Sequence, residues 1–320
     1  MIKPLVSICL PCFNAGKFII ETLQSLTSQD YPNIEILVID DNSTDNSWQL
    51  LNDFARNNSM VYVEKAQKKG AAAARNQAFN LSKGDYVIFF DADDIIQPNF
   101  VESQMSKIVD DPASVVVSCW GRFYGAITEY TEDPDIIKKD LSFKDWIVYY
   151  WTFYKHTTPP GRVLIARKVV LSAGLWDENL SLNDDFEFFT RIFSKSTMIK
   201  YNDDALFYYR SGIGGLSSKF TNDALNSYYS SLELSFKNVL ALYPNDKKVA
   251  HACANLWQIF VYSVYPNRMD LTSAAKNQIY NLGGAAIDFP AGGITKVLTK
   301  LFGWKIIKRI KHLINRNAIS

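Results

Sequence analysis

The stretch Tyr86–Asp94, Tyr-Val-Ile-Phe-Phe-Asp-Ala-Asp-Asp, constrains the fold more than any other part of the chain. Tyr86 to Phe90 is an unbroken apolar and aromatic run, set off in front by Lys83-Gly84-Asp85. Such a run suits a strand buried on both faces, as in a parallel sheet covered by helices. Three carboxylates then arrive within four residues, Asp91, Asp93 and Asp94. Clustered negative charge at the end of a buried strand needs compensation, because like charges repel and burial strips their water. In an open α/β sheet, the carboxyl ends of central strands are where ligands sit. Asp91 and Asp93 could share a hard divalent cation, Mg²⁺ or Mn²⁺, whose remaining positions substrate phosphate oxygens would fill. The other reading is a solvated acidic turn, with Asp93 or Asp94 capping the next helix.

The chain before this stretch alternates strand and helix. Leu5–Leu10 predicts a buried strand, which Pro11–Gly16 breaks into a loop. Lys17–Gln29 predicts a helix with Ile19, Leu23 and Leu26 on one face. Ile34–Ile39 predicts a second strand, ending in Asp40-Asp41-Asn42-Ser43, and a helix carrying Leu50, Leu51 and Phe54 is expected to begin at Ser43. A short strand at Met60–Glu64 and an alanine-rich helix from Gly70 to Leu81 complete the series. This order predicts an α/β fold built on a right-handed, mostly parallel sheet with helices on both faces.

The Pro11–Gly16 loop, the Asp40-Asp41 pair and the Asp91–Asp94 cluster then share one sheet edge. They describe a crevice for a nucleotide whose diphosphate reaches a metal. Neither common phosphate loop is present: Gly16-Lys17 lacks the upstream glycine and the following Ser/Thr, and no G-x-G-x-x-G occurs. Phosphate charge would fall to the metal and to Arg75, unless Arg75 lies on a solvated helix face.

Further on, helices are expected from Pro98 to about Val109, from Ser142 through the aromatic residues Trp146–Trp151, and from Asp184-Asp185 onward, with strands at Val115–Ser118 and Arg162–Ala166. Gly121–Tyr130 reads as mixed strand or loop. Asp184 and Asp185 alone look like ordinary helix-start carboxylates. Asn222–Leu242, Lys247–Tyr265 and Leu271–Leu282 predict a helical region, followed by a linker at Asp288–Gly293. The expected organisation is therefore residues 1–220, a helical appendage over 221–287, and a linker with a tail helix over 288–320. The tail carries Lys296, Lys300, Lys305, Lys308, Arg309, Lys311 and Arg316, and no acid follows Asp288. Its apolar residues recur near helical spacing, so residues 296–316 suit an anionic membrane surface or, alternatively, pack on the domain with lysines in water.

With 320 residues, 48% of them hydrophobic, the chain can bury a large core. A net charge of +1 points to no nucleic-acid partner. Cys9, Cys12, Cys119 and Cys253 read as reduced packing residues, since Cys9-x-x-Cys12 has no second pair. A strand pattern directly after Met1-Ile-Lys-Pro4 leads to the expectation of no signal peptide and a cytoplasmic location, peripheral on the inner face of the membrane if the tail binds there.

These residues together resemble the family-2 glycosyltransferases. The resemblance rests on Val6-Ser-Ile-Cys-Leu-Pro-Cys-Phe-Asn14, Glu35-Ile-Leu-Val-Ile-Asp-Asp-Asn-Ser-Thr-Asp45, Gly70 with Ala74-Arg75-Asn76, and Phe89-Phe-Asp-Ala-Asp-Asp94. Gly174-Leu-Trp-Asp-Glu178 before Asp184-Asp185, and Tyr208-Tyr209-Arg210 before Leu216-Ser217, extend it over about two-thirds of the chain. It implies a Rossmann-like GT-A fold, a nucleotide-sugar donor and inversion at the anomeric carbon. By position it implies that Pro11, Phe13, Asn14, Asp41, Arg75, Asp91 and Ala92 face the donor nucleotide. Phe13 stands where a Tyr usually packs on the base, and Asp41 where an acid contacts uracil. Asp91-Ala92-Asp93 matches the D-x-D motif, with Asp93 and Asp91 on the metal, and Asp185 stands at the catalytic base. Asp184, Trp176 and Arg210 fall on the acceptor side. Asp184 replaces the usual Glu, Ala78 a common Gly, and Ile213 to Gly215 a stretch that often holds a His.

The implied activity is sugar transfer from a nucleotide-diphosphate donor, UDP-linked by expectation, to a saccharide or lipid-linked acceptor in bacterial surface polysaccharide or glycolipid synthesis. Single displacement needs a stabilised leaving group and a base, but no enzyme nucleophile. No Ser–His or Cys–His arrangement is evident, and His156, His251 and His312 are isolated in sequence. A nucleotidyltransferase would want a glycine-rich, Arg-containing loop after the first strand. A glycosidase would need no nucleotide crevice. A non-catalytic sugar-nucleotide-binding module is the remaining alternative.

Overall fold

The apolar runs of the first ninety residues line up in a computed structural model, which describes residues 3–213 and 221–317, with side chains to 314. β1 (Val6–Cys12), α1 (Ile19–Thr27), β2 (Ile34–Asp40), α2 (Ser47–Arg56), β3 (Val61–Lys65), α3 (Ala71–Leu81) and β4 (Tyr86–Phe89) alternate along the chain. The strands stand in the order β3-β2-β1-β4, all parallel, with Val6 level with both Ile34 and Tyr86. A helix between parallel neighbours is what a crossover connection requires. α3 packs on β1 and β2 through Ala72, Ala74 and Ala78, small side chains that let its backbone come close.

Beyond β4 the elements are β5 (Ile95–Ile96), α4 (Phe100–Ile108), β6 (Val115–Phe123), β7 (Thr131–Glu132), α5 (Phe143–Trp146, continuing as a π turn Ile147–Trp151), β8 (Val163–Ala166), α6 (Arg167–Ala173), α7 (Asp184–Lys195) and β9 (Ile199–Arg210). The nine-stranded sheet continues as β8-β6-β9-β5, with β7 on β6, and this half mixes parallel and antiparallel pairs. β6 runs past the expected Ser118 to Phe123, with an irregularity between Ser118 and Trp120. β9 is a strand that the sequence pattern hides. β5 pairs with it so that Ile95 meets Tyr208, which carries Arg210 up to Asp94.

The helical part comprises α8 (Asn222–Leu242), α9 (Lys247–Val264), α10 (Met269–Asn281), α11 (Gly293–Phe302) and α12 (Trp304–Asn317). Two compact units emerge, residues 1–143 with 157–231, and residues 144–156 with 232–320. Trp151, Phe236, Trp257 and Phe260 form the aromatic core of the second unit. The tail is two helices rather than one, because Gly303 sits at φ 77°, a conformation that ends a helix and that glycine adopts without strain. Among the described residues no helix is long and apolar enough to cross a membrane.

Candidate active site

The parallel register sets the carboxyl ends of β1, β2 and β4 side by side, and the chain leaves each of them through predicted site residues. Pro11 pairs with Ile39 inside β1. Phe13 follows with its ring 54% exposed. Asn14, at φ 49°, is a fastener rather than an open donor group: its Oδ1 accepts the Thr44 and Asp45 N–H groups at 2.7 and 3.3 Å. Its own N–H donates to Ser43 Oγ at 2.9 Å. These bonds use up the polar atoms that would have started α2 at Ser43, so the helix begins at Ser47.

Asp41 is buried just past β2. Its Oδ2 accepts the Gly70 N–H at 2.8 Å, while buried Oδ1 meets no protein donor. Gly70 stands at φ 116°, open to glycine and strained for other residues, and this lets the start of α3 turn its amide toward Asp41. Neighbouring Asp40 is fully buried and takes Lys65 Nζ at 2.6 Å.

Arg75 joins two motifs. Its guanidinium donates to Asp91 Oδ1 at 2.7 Å and to Asp184 Oδ2 at 3.2 Å, and lies 4.4 Å over the Trp176 ring. The Arg75 side chain is only 9% exposed, so the solvated-face reading fails. Burial opposes its charge, but Asp91 and Asp184 outweigh burial and raise its pKa. Trp176 itself is buried, stacked on Phe188 at 4.1 Å and edge-on to Phe89, so its indole is a platform beneath the guanidinium.

Asp91, Asp93 and Asp94 lie at the end of β4. Burial, then the Asp91 charge, pushes the Asp93 carboxyl up to about 7. Asp94 is raised well above the usual carboxylate range by burial and by its two neighbours. Its Oδ1 accepts the Arg210 N–H at 2.9 Å and its buried Oδ2 has no protein donor. Arg210 Nε donates to the Asp93 carbonyl at 2.8 Å and its other end pairs with Glu21 at 2.6 Å. Ala92 is buried, its carbonyl accepting from Thr22 Oγ1 at 3.1 Å.

Asp184 and Asp185 open α7. Asn183 precedes them at φ 64°, held by Ser231, which both accepts from its side chain and donates to its carbonyl. Burial raises both carboxyls, and the Asp184 charge helps to push Asp185 up to about 7. Asp185 Oδ1 accepts the Phe186 N–H at 2.8 Å.

The structure thus brings Arg75, Trp176, Asp91, Asp93, Asp184, Asp185 and Arg210 into one neighbourhood, with Phe13 and Asp41 on the adjoining strand ends. No group of three or more ligating side chains forms a ready metal cage among the described residues. The donor set nevertheless fits a hard cation: the carboxylate oxygens of Asp91 and Asp93, where burial and then the Asp91 charge leave Asp93 short of compensation, with substrate oxygens left to complete the shell. Cys9 and Cys12 do not take part; burial pushes both thiols up to about 12. Leu216 and Ser217, with Gly214 and Gly215, lie outside the described residues. Sequence reasoning missed Glu21, whose position on α1 looks solvated, and Asn76, whose amide pins the Trp176 loop.

The family model for Glycosyl transferase family 2 matches residues 7–168, half of the chain. The glycosyltransferase GlyG of Streptococcus pneumoniae is 32% identical over 148 residues, covering 44% of this chain and 48% of the relative, so the match spans about half of that protein. The uncharacterized glycosyltransferase YibD of Escherichia coli is 23% identical over 98% of this chain and 97% of its own length. Among solved structures, S. aureus TarS residues 1–349 in complex with UDP-GlcNAc superposes with a TM-score of 0.71 at 20% identity, covering 87% of this chain and 81% of that one. The chain belongs to glycosyltransferase family 2, is a glycosyltransferase, and carries the GT-A fold.

Proposed function

We propose that this enzyme moves a sugar from a UDP-linked donor to an acceptor hydroxyl, with inversion at the anomeric carbon. The observation that carries the reading is Arg75, one guanidinium shared between Asp91 of the D-x-D stretch and Asp184 beside the proposed base. Single displacement needs the leaving diphosphate and the attacking hydroxyl on either side of one carbon, and Arg75 links the residues we give to each.

Phe13 offers an exposed ring to the base, and buried Asp41 Oδ1 can accept an imide N–H such as that of uracil. Likeness of fold to TarS in complex with UDP-GlcNAc supports the reading by analogy. Asp93 and Asp91 would hold Mn²⁺ or Mg²⁺, which when bound supplies charge stabilisation to the leaving diphosphate. Arg75 keeps Asp91 and the start of α7 in register, and its stack on Trp176 fixes the guanidinium plane. Asp185 takes the acceptor proton; a pKa near 7 suits a base that must be ionised yet still basic. Catalysis in this reading belongs to residues 1–220, with 221–287 a helical support. Residues 288–320 place the enzyme on the inner face of the membrane, near a saccharide or lipid-linked acceptor for surface polysaccharide or glycolipid synthesis.

Donor hydrolysis with a panel of UDP-, GDP- and dTDP-sugars, with Mn²⁺ and with chelator, tests this. Turnover of a UDP-sugar that chelation abolishes is expected. Equal turnover in chelator, or none with any donor, overturns it.

A further inference from the structure

The second unit contains a cavity that sugar transfer does not call on. It measures about 460 Å³ and opens between the end of α9, the Phe289–Gly292 loop, α11 and α12. Tyr265, Asn267, Thr295, Lys308, Lys311 and His312 are among its walls. That size is in the range of small-ligand sites.

Its polar side is cationic, and among the described residues no carboxylate lines it. Among the described residues, Lys311 Nζ reaches the Thr295 hydroxyl, at 3.3 Å. Among the described residues neither Lys308 nor Lys311 meets a carboxylate, and the sequence holds no acid beyond Asp288. Burial, then the Lys311 charge, lowers the Lys308 pKa, as expected of two ammonium groups sharing a recess without an anion. The amides of the first turn of α11 add to this, since Gly292 brings no side chain to cap them.

The surroundings are apolar. Trp304 packs on Tyr262 at 4.8 Å, on Tyr265 at 5.2 Å and on Phe289 at 6.0 Å, and Ile307 is buried, so α12 is anchored through one narrow face. Ile294, Val297, Leu301, Phe302, Ile306 and Ile310 stay between 47% and 79% exposed. A basic helix pair with this much bare apolar surface suits the interface of a bilayer, where lysines meet headgroups and apolar side chains meet acyl chains. A site for free phosphate would not need that apolar surround.

We propose that the cavity binds the phosphate of an anionic phospholipid headgroup, while the exposed apolar residues of α11 and α12 enter the surrounding acyl layer. The proposal rests on the membrane-surface part of the function given above and is independent of its transfer chemistry.

Flotation of the full chain with phosphatidylcholine vesicles, with and without phosphatidylglycerol, is the test. Two double variants remove equal charge: Lys308→Gln with Lys311→Gln inside the cavity, and Lys296→Gln with Lys300→Gln outside it. The parent should float only with phosphatidylglycerol, and the cavity pair should lose about tenfold more partition than the outer pair. Equal losses mean diffuse electrostatics and overturn the site, as does a parent that never floats. Inorganic phosphate without vesicles is the second arm. If it raises the parent's melting temperature but not the cavity pair's, and vesicle binding is absent, the ligand is free phosphate and the lipid is wrong. Melting curves confirm that both pairs fold. Metal-dependent donor hydrolysis without vesicles should be equal in parent and cavity pair. Absence of hydrolysis in the parent would sink the transferase mechanism and leave the vesicle result standing.

Discussion

Asn76 and Trp176, a hundred residues apart, hydrogen-bond in both directions: the Asn76 amide donates to the Trp176 carbonyl at 2.9 Å, and Asn76 Oδ1 accepts the Trp176 N–H at 3.0 Å. The side chain acts as one rung of a strand, tying the Gly174–Glu178 loop to α3 so that the indole lies under Arg75. Asn76→Ala leaves two buried backbone groups without partners, which should cost about 2–4 kcal/mol. A urea midpoint within error of the parent's would mean that water replaces the amide and the tie is dispensable.

Arg75 is the next test of the same assembly. Arg75→Lys keeps one charge but cannot span two carboxylates and stack on an indole together. Activity should fall by about tenfold or more, with the fold retained. Arg75→Met strands Asp91 and Asp184 without a partner, at a cost of about 3–5 kcal/mol. That cost should shrink as Asp184, whose carboxyl burial raises, takes up a proton, so melting curves at acid pH should bring variant and parent together. A constant gap at all pH values would show that the loss is packing, not charge.

Much of this was legible because buried strands advertise themselves. Val6–Cys12, Ile34–Asp40 and Tyr86–Phe89 are apolar runs ending in polar loops, and their order implies a parallel sheet. β9 was not legible, since Asn202-Asp203-Asp204 interrupts it. Asn202 is fully buried because Ser103 and Ser118 receive its amide, partners that only the folded chain supplies. The helix start at Ser47 is hidden for a related reason: Ser43 reads as the start, but its hydroxyl takes the Asn14 N–H, while Asp45 accepts both the Gly16 N–H and the Ser47 N–H where the helix begins. Arg75 could be read from sequence as lying on a solvated helix face, and its ion pair with Asp184, 109 residues away, rules that face out.

Asp93→Ala should abolish any metal-dependent gain in UDP affinity. Calorimetric titration of UDP with Mn²⁺ and with chelator reads it directly, because Asp91 is already engaged by Arg75 and cannot serve alone. Retention of the full metal effect would move the ion elsewhere.

Stability should also carry the mark of Asp185. Its folded pKa is about 7 against an ordinary 3.8, so the unfolded chain ionises first and stability falls as pH rises between those values. Below that window nothing is lost, and above it the full cost is present. Asp185 is half-buried, so the cost is set at about 1–3 kcal/mol, less than the whole shift would imply. Asp185→Asn should be more stable than the parent at pH 8 by about that amount, with the difference vanishing near pH 4. A parent that gains stability across this range would show that Asp185 is ionised throughout.

The same substitution tests the chemistry. Asparagine keeps the size of Asp185 and an oxygen for the Phe186 N–H, so fold and donor affinity should survive. It cannot take a proton, and loss of a general base costs about 10²–10⁴ in rate. kcat should fall within that range while donor affinity changes by no more than a few-fold, as for an interaction made only in the transition state. The parent's kcat should climb with pH and level off above about 7, and the variant's should lose that limb. Asp184→Asn should do less: it weakens one of the two ion pairs of Arg75, and Asp91 still holds the guanidinium at 2.7 Å. If Asp184→Asn is dead and Asp185→Asn turns over normally, the base is Asp184, and Arg75 is then the group that tunes it. If both turn over normally, neither acid takes the proton, and the link through Arg75 is structural alone.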